Sequence, residues 1–223
     1  MAYTVTDAVL SVRLRLDEPI AAQWSDLAIR RWINEGIRDI ARQTRLHTDQ
    51  ISFAVTANTG EYVLSDRVLA IEFALWKATA DSRKIPLEPR AFVGVQKYIN
   101  ETGSDPSFYS TYGHPPALKM QLWPTPNRVG TIYLYGPMLP AAMDVTNGTG
   151  NVDVAEAWYE AALDYAQYMA ERKDQQGTNW KETFQIYQQK IQTMIEQSAT
   201  DGAAGEMVFT GTSMVPNWLS EFD

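Results

Sequence analysis

The chain has 223 residues, 45% of them hydrophobic and 21% charged, with no cysteine and a formal net charge of −8. That is enough apolar material for one sizeable core or two small ones. The missing cysteines exclude disulfides, thiolate metal sites and cysteine nucleophiles, and the acidic balance argues against a protein that grips nucleic-acid phosphates, although not against one that DNA slides past.

No apolar run approaches bilayer length, and "MAYTVTDAVLSVRLRLDEP" lacks the basic start and unbroken apolar block of a signal peptide. A soluble, unexported protein with no membrane contact is expected. In that first stretch Thr6 is placed as an N-cap with Asp7 in the first turn, predicting a short helix even though Val12, Leu14 and Leu16 alternate with arginines. "SDLAIRRWINEGIRDIARQTR" is clearer. Ser25 caps it, and Ile29, Trp32, Ile33, Gly36, Ile37, Ile40 and Ala41 recur at three-and-four spacing, which predicts an amphipathic helix. Gly36 inside it costs about 1 kcal/mol relative to alanine, which calls for a close neighbouring helix.

From Ile51 the pattern changes to period two. "ISFAVTANTGEYVL" predicts a hairpin around Asn58-Thr59-Gly60, with the glycine at positive φ. "VLAIEFALWKATADSRKIPLEP" predicts two extended pieces about a polar turn, and "AFVGVQKYINETG" a brief helix ending near Gly103. In "PALKMQLWPTPNRVGTIYLYGP" Leu118, Met120 and Leu122 alternate with Lys119, Gln121 and Trp123, and Ile132 and Leu134 alternate with Tyr133 and Tyr135, predicting strands on both sides of a proline-rich turn. After the turn-rich "DVTNGTGNVD" come two helices. One carries Trp158, Ala161, Ala162, Tyr165, Tyr168 and Met169 as its apolar stripe, the other Trp180, Phe184, Tyr187, Ile191, Met194 and Ile195, and the short Gln175–Thr178 connection folds them back on each other.

The expected fold is therefore α+β: an antiparallel bundle of about four helices, interrupted by a small antiparallel β domain and followed by an extended C-terminal arm. The expected segments are 1–50 and 144–199 for the helices, 51–143 for the β insertion, and 200–223 for linker and arm.

Signals for chemistry are weak. There is no phosphate-binding or nucleophile-elbow motif, and His47 and His114 lack metal-ligand spacing, so no enzymatic activity, cofactor or metal is expected. Glu156, Glu160 and Asp164 recur every four residues and share a helix face. They suit a solvated or collectively acidic surface better than a glycosidase pair, whose carboxylates must face each other across a substrate. Tyr109, Tyr112, Tyr133, Tyr135, Trp76 and Trp123 fit core aromatics better than a carbohydrate or nucleic-acid platform.

The strongest signal is the end of the chain. After the small-residue run "SATDGAAGE" come Met207, Val208, Phe209, Met214, Val215, Trp218, Leu219 and Phe222. Burying such side chains at about 1.5–3 kcal/mol each is of the same order as ordering their backbone at about 1–2 kcal/mol per residue. A single tail then docks marginally, whereas many tails on a ring dock by multivalency.

The pieces "RWINEGIRDIARQT" and "LWPTP", set in the order helices, β insertion, helical pair and loose arm, resemble the head-to-tail adaptor proteins of tailed bacteriophages. The resemblance implies a structural virion protein of the neck, assembled in the host cytoplasm. Copies would form a ring, usually dodecameric, that docks on the portal protein, carries the tail or nozzle protein, and leaves a channel through which DNA passes without specific binding. It implies that the arm docks on the portal or a neighbouring subunit, with Glu156, Glu160 and Asp164 as a candidate channel-facing stripe. The alternatives are a tail-completion or tail-tube component and, less in keeping with the residues, a cell-wall-degrading or carbohydrate-binding tail protein.

Overall fold

A computed structural model of the chain describes residues 3–18, 23–92, 102–103, 105–114, 117–142, 150–152, 154–174 and 179–208. They divide into two compact units. One holds the described residues up to Leu46 and from Pro140 onward, and the other holds His47–Leu139.

The helical unit begins with a two-residue strand, β1 (Tyr3–Thr4), leading into α1 (Val5–Arg15). Pairing of β1 with β11 (Asn151–Val152) keeps Thr4 extended, the backbone that an N-cap requires. Thr4 Oγ1 accepts from Asp7 N at 3.0 Å and donates to the Asp7 carboxylate at 2.6 Å. The cap is thus two residues ahead of Thr6. Val5, Ala8, Val9 and Val12 are buried at helical spacing, which overrides the strand-like alternation of the sequence.

The second helix, α2 (Asp26–Thr44), is capped by Ser25 as expected and stopped by Arg45 in the left-handed region at φ 55°. Its buried residues are Ile29, Trp32, Ile33, Gly36, Ile37, Ile40 and Ala41, the predicted stripe in full. Helices α3 (Glu156–Asp174) and α4 (Asn179–Val208) follow. On α3 Trp158, Ala161, Ala162 and Tyr168 are buried as predicted, but so are Tyr159, Leu163, Asp164, Ala166 and Ala170. The reason is that α1, α2 and α4 all pack on α3, leaving it little free face. On α4 the burial is one-sided, at Tyr187, Ile191 and Met194, with Tyr187 edge-on to Tyr165 and Phe184 tilted on Tyr168.

In the β unit seven strands form one curled sheet in the order β2 (Thr48–Val55), β10 (Gly130–Pro137), β4 (Phe73–Ala78), β5 (Ile85–Pro89), β7 (Phe108–Tyr112), β8 (Lys119–Trp123), β3 (Glu61–Val63). A second, two-stranded sheet pairs β6 (Thr102–Gly103) with β9 (Thr125–Pro126). Val55, Trp76, Met120, Leu122, Ile132 and Leu134 fill the core. The fold class is α+β, but the sheet is mixed where an antiparallel one was expected, because β5 and β7 run parallel. The connection between them, residues 90–107, is long enough to bring the chain back in the same direction.

The predicted hairpin is absent. Strands β2 and β3 head opposite ends of the sheet order and pair with β10 and β8. Positive φ falls on Asn58, at 62°, and not on Gly60. The loop still draws the two ends of the sheet together. Tyr62 donates to Thr59 O at 2.9 Å, accepts from Thr56 N at 3.2 Å, and packs on Phe53 with ring centroids 5.3 Å apart. The strands either side of "LWPTP" form as predicted, but β8 and β10 bond to different neighbours and Trp123 is buried. Most of the brief helix predicted before Gly103 lies outside the described residues.

Candidate functional site

Helix α4 runs to Val208, so the backbone of "SATDGAAGE", read from sequence as a linker, is helical, as are positions 207 and 208. Within it Thr200 Oγ1 donates back to Glu196 O at 2.9 Å. Phe209, Met214, Val215, Trp218, Leu219 and Phe222 lie outside the described residues.

The three carboxylates expected on one acidic face have different environments. Glu156 is exposed in the first turn of α3, where the helix dipole favours a negative charge. Glu160 accepts from Arg15 at 2.5 Å. Asp164 is buried, held by Arg15 of α1 through one oxygen and by Lys190 of α4, 2.5 Å from the other. The lysine meets that oxygen at an angle that makes the contact an ion pair and not a directed hydrogen bond. Asp164 therefore ties α1 and α4 to α3 and, being buried, does not share the exposed face that the spacing suggests for it. The spacing placed all three on one face; it could not show that another helix covers the third.

Among the described residues no group of histidine and acidic side chains could hold a metal ion, and no helix is long and apolar enough to cross a membrane. A recess of about 350 Å³ is lined by Ile71, Arg90, Phe92, Tyr109, Ser110 and Thr111 among others. Among the described residues the buried Ser110 hydroxyl has no partner, and no carboxylate or histidine lines the recess to act as its base. The aromatic set is dispersed. Trp76, Trp123 and Tyr109 are core residues, Tyr133 lies under Lys84 at 4.3 Å, and Tyr112 donates to Glu61. Partial burial and that carboxylate push the Tyr112 hydroxyl up to about 12, while Lys119 and Tyr112 hold Glu61 below its ordinary value.

The outer edge of β2 has no strand beside it among the described residues. Met138 N donates to His47 O, so in this antiparallel register Asp49, Ile51, Phe53 and Val55 bond to β10, and Thr48, Gln50, Ser52 and Ala54 turn their backbone groups outward. The outward N–H of Gln50 is taken by Asp49 Oδ1 at 2.7 Å, and that carboxylate is fixed by Arg67 at 2.8 Å. The Gln50 N–H, followed by Arg67, holds Asp49 below the usual carboxylate range. Beyond the strand, Thr56 N is taken by Tyr62. Ser52 and Ala54 are exposed and have no such cover among the described residues. The legible signal was "ISFAVT", a strand with no lysine, arginine or proline of the kind that guards an open edge.

No curated protein matches the chain. Residues 3–210 match the protein family described as SU10 adaptor protein, which takes in both helical segments, the β insertion and the motifs that carry the resemblance to phage head-to-tail adaptors. The chain belongs to the SU10 adaptor protein family and is a structural adaptor of a bacteriophage.

Proposed function

We propose that copies of this chain assemble as a ring on the portal, connect it to the tail or nozzle, and leave a channel through which DNA passes during ejection. In this reading the four helices form an antiparallel bundle that makes the body of the ring, and residues 207–223 form an arm that docks on the portal or on the next subunit. The observation that carries it is the composition of the chain's end. Met207–Ser220 contains no charged residue, yet includes Met207, Val208, Phe209, Met214, Val215, Trp218 and Leu219. Stretched out beyond the end of α4, the 15 residues from 209 to 223 reach about 50 Å, beyond a single small domain. The net charge of −8 suits a passage that repels phosphates and does not retain them. Glu156 and the exposed part of Glu160 are the candidates for its wall. The test is negative-stain microscopy of the purified chain mixed with the portal of the same virus. A stacked ring is expected, and a chain lacking residues 207–223 should fold normally yet fail to dock. Normal docking by the truncated chain would reject the arm.

A further inference from the structure

We propose that the open edge of β2 at Ser52 and Ala54 is the socket for the arm, taking residues 209–215 of a second copy as an added strand. The proposal rests on the arm reading above and gives that arm a place to bind. A strand edge recruits another strand through its unpaired N–H and C=O groups, with little demand on side-chain identity. On this edge the outward N–H groups of Gln50 and Thr56 are taken by Asp49 and Tyr62, so Ser52 and Ala54 lie between two positions whose donors are already used. The exposed side chains there, Gln50, Ser52 and Ala54, carry no charge that an incoming uncharged strand would have to desolvate.

The arm has the matching composition. Phe209–Val215 follows directly on the last residue of α4, holds the β-branched Thr210, Thr212 and Val215, carries no charge, and is ended by Pro216, which has no donor to continue a ladder. Its seven residues span about 23 Å when extended, within the reach of the eight-residue β2. Socket and arm are different patches of one chain, so their exchange between copies is a heterologous contact, the kind that closes into rings.

The chain has no cysteine, so introduced pairs report without background. Full-length chains bearing Ser52→Cys are mixed with chains bearing Thr210→Cys or Thr212→Cys and oxidised, and the products are mapped by mass spectrometry. A disulfide between chains joining 52 to 210 or 212 is expected. Its absence overturns the proposal. So does a bond from 52 to 52, which would mean symmetric pairing of edges, or a bond formed only within a doubly substituted chain, which would mean an arm folded on its own sheet. Ala54→Pro is the second arm of the test, because it removes an outward N–H without breaking a bond to β10. It should lower the cross-linked yield at least about tenfold while leaving the melting temperature close to that of the parent. If deletion of 209–223 abolishes ring docking but Ala54→Pro leaves docking and cross-linking intact, the arm stands and the socket falls. If the deletion has no effect, both fall.

Discussion

Tyr165 of α3 lies against Gly36 of α2 so closely that a Cβ added to the glycine would stand 3.0 Å from the Tyr165 Cβ. The obstructing atom is next to the backbone and cannot rotate away. Gly36→Ala would gain about 1 kcal/mol of helix propensity, but overpacking of this kind costs about 1–3 kcal/mol. The expected result is net destabilisation, larger for Gly36→Val, which gains less propensity and adds more bulk. Chemical denaturation of the three chains measures it, and a Gly36→Ala chain more stable than its parent would show that the two helices can separate there at no cost.

A second prediction concerns alkaline pH. Tyr187 is fully buried and donates to Asp39 Oδ2 at 2.5 Å. Burial first, then the adjacent carboxylate, raise its hydroxyl far above the ordinary tyrosine value of 10.0. The folded state therefore holds this proton more tightly than the unfolded chain does. The stability it brings is complete below about pH 10 and is lost as pH rises above that towards the raised folded value. Tyr187→Phe should cost about 1.5–3 kcal/mol at neutral pH, as expected for a hydrogen bond to a charged acceptor, and should flatten the decline above pH 10. Urea unfolding at pH 8 and pH 11 decides it, and an unchanged decline in the variant would assign the loss to other groups.

Asp164 supplies the third prediction. It meets Arg15 on one side and Lys190 on the other, and both cations are partly exposed. Asp164→Ala therefore leaves Arg15 its contact with Glu160 and leaves Lys190 without its acid and only partly hydrated. The expected cost is about 1–3 kcal/mol, less than the 3–5 kcal/mol of breaking a fully buried pair. Adding Lys190→Met to Asp164→Ala should recover part of that loss by removing a cation without a partner. Thermal denaturation of the two singles and the double closes the cycle, and strict additivity would mean the pair contributes nothing to docking α4.

What the sequence made legible was local and periodic. The α2 stripe, its Ser25 cap and the demand of Gly36 for a close neighbour follow from spacing along one element, and the structure has them all. The start of α1 was misplaced because its cap depends on pairing of β1 with β11, some 150 residues away in the chain. The partners of β2 and β3 were misassigned for the same reason. Nearness in sequence and a turn-forming Asn58-Thr59-Gly60 suggest a hairpin, whereas the choice between β10 and β8 is made by how the whole sheet curls. Burial of Asp164 was invisible because periodicity shows which residues share a face and not what lies on it. The open edge of β2 was legible only as a strand without guarding residues, since that it lies at an edge is decided by the strands that do not pair with it.

The last prediction concerns Asp105, which joins the core of the β unit to its surface. Its Oδ1 accepts from the indole of the fully buried Trp76 at 2.7 Å, and its two oxygens accept from Arg128 Nε and Nη2 at 3.1 and 2.6 Å. Partial burial opposes ionisation, yet Arg128 and the indole together hold the carboxyl below its ordinary value. A lowered folded value means that the stability is present above the unfolded value near 3.8 and is lost as pH falls through the lower, folded one. Two substitutions separate the two partners. Asp105→Asn keeps an acceptor for Trp76 and loses the charge that Arg128 needs, so its unfolding curve should be flatter in acid while the indole environment, seen in near-ultraviolet circular dichroism, persists. Asp105→Ala removes both, leaving a buried indole N–H without a partner, and should be less stable than Asp105→Asn by about 1–3 kcal/mol at every pH. Equal stability of the two variants would mean that water replaces the carboxylate at Trp76, and the role left to Asp105 would then be confined to its ion pair at the surface.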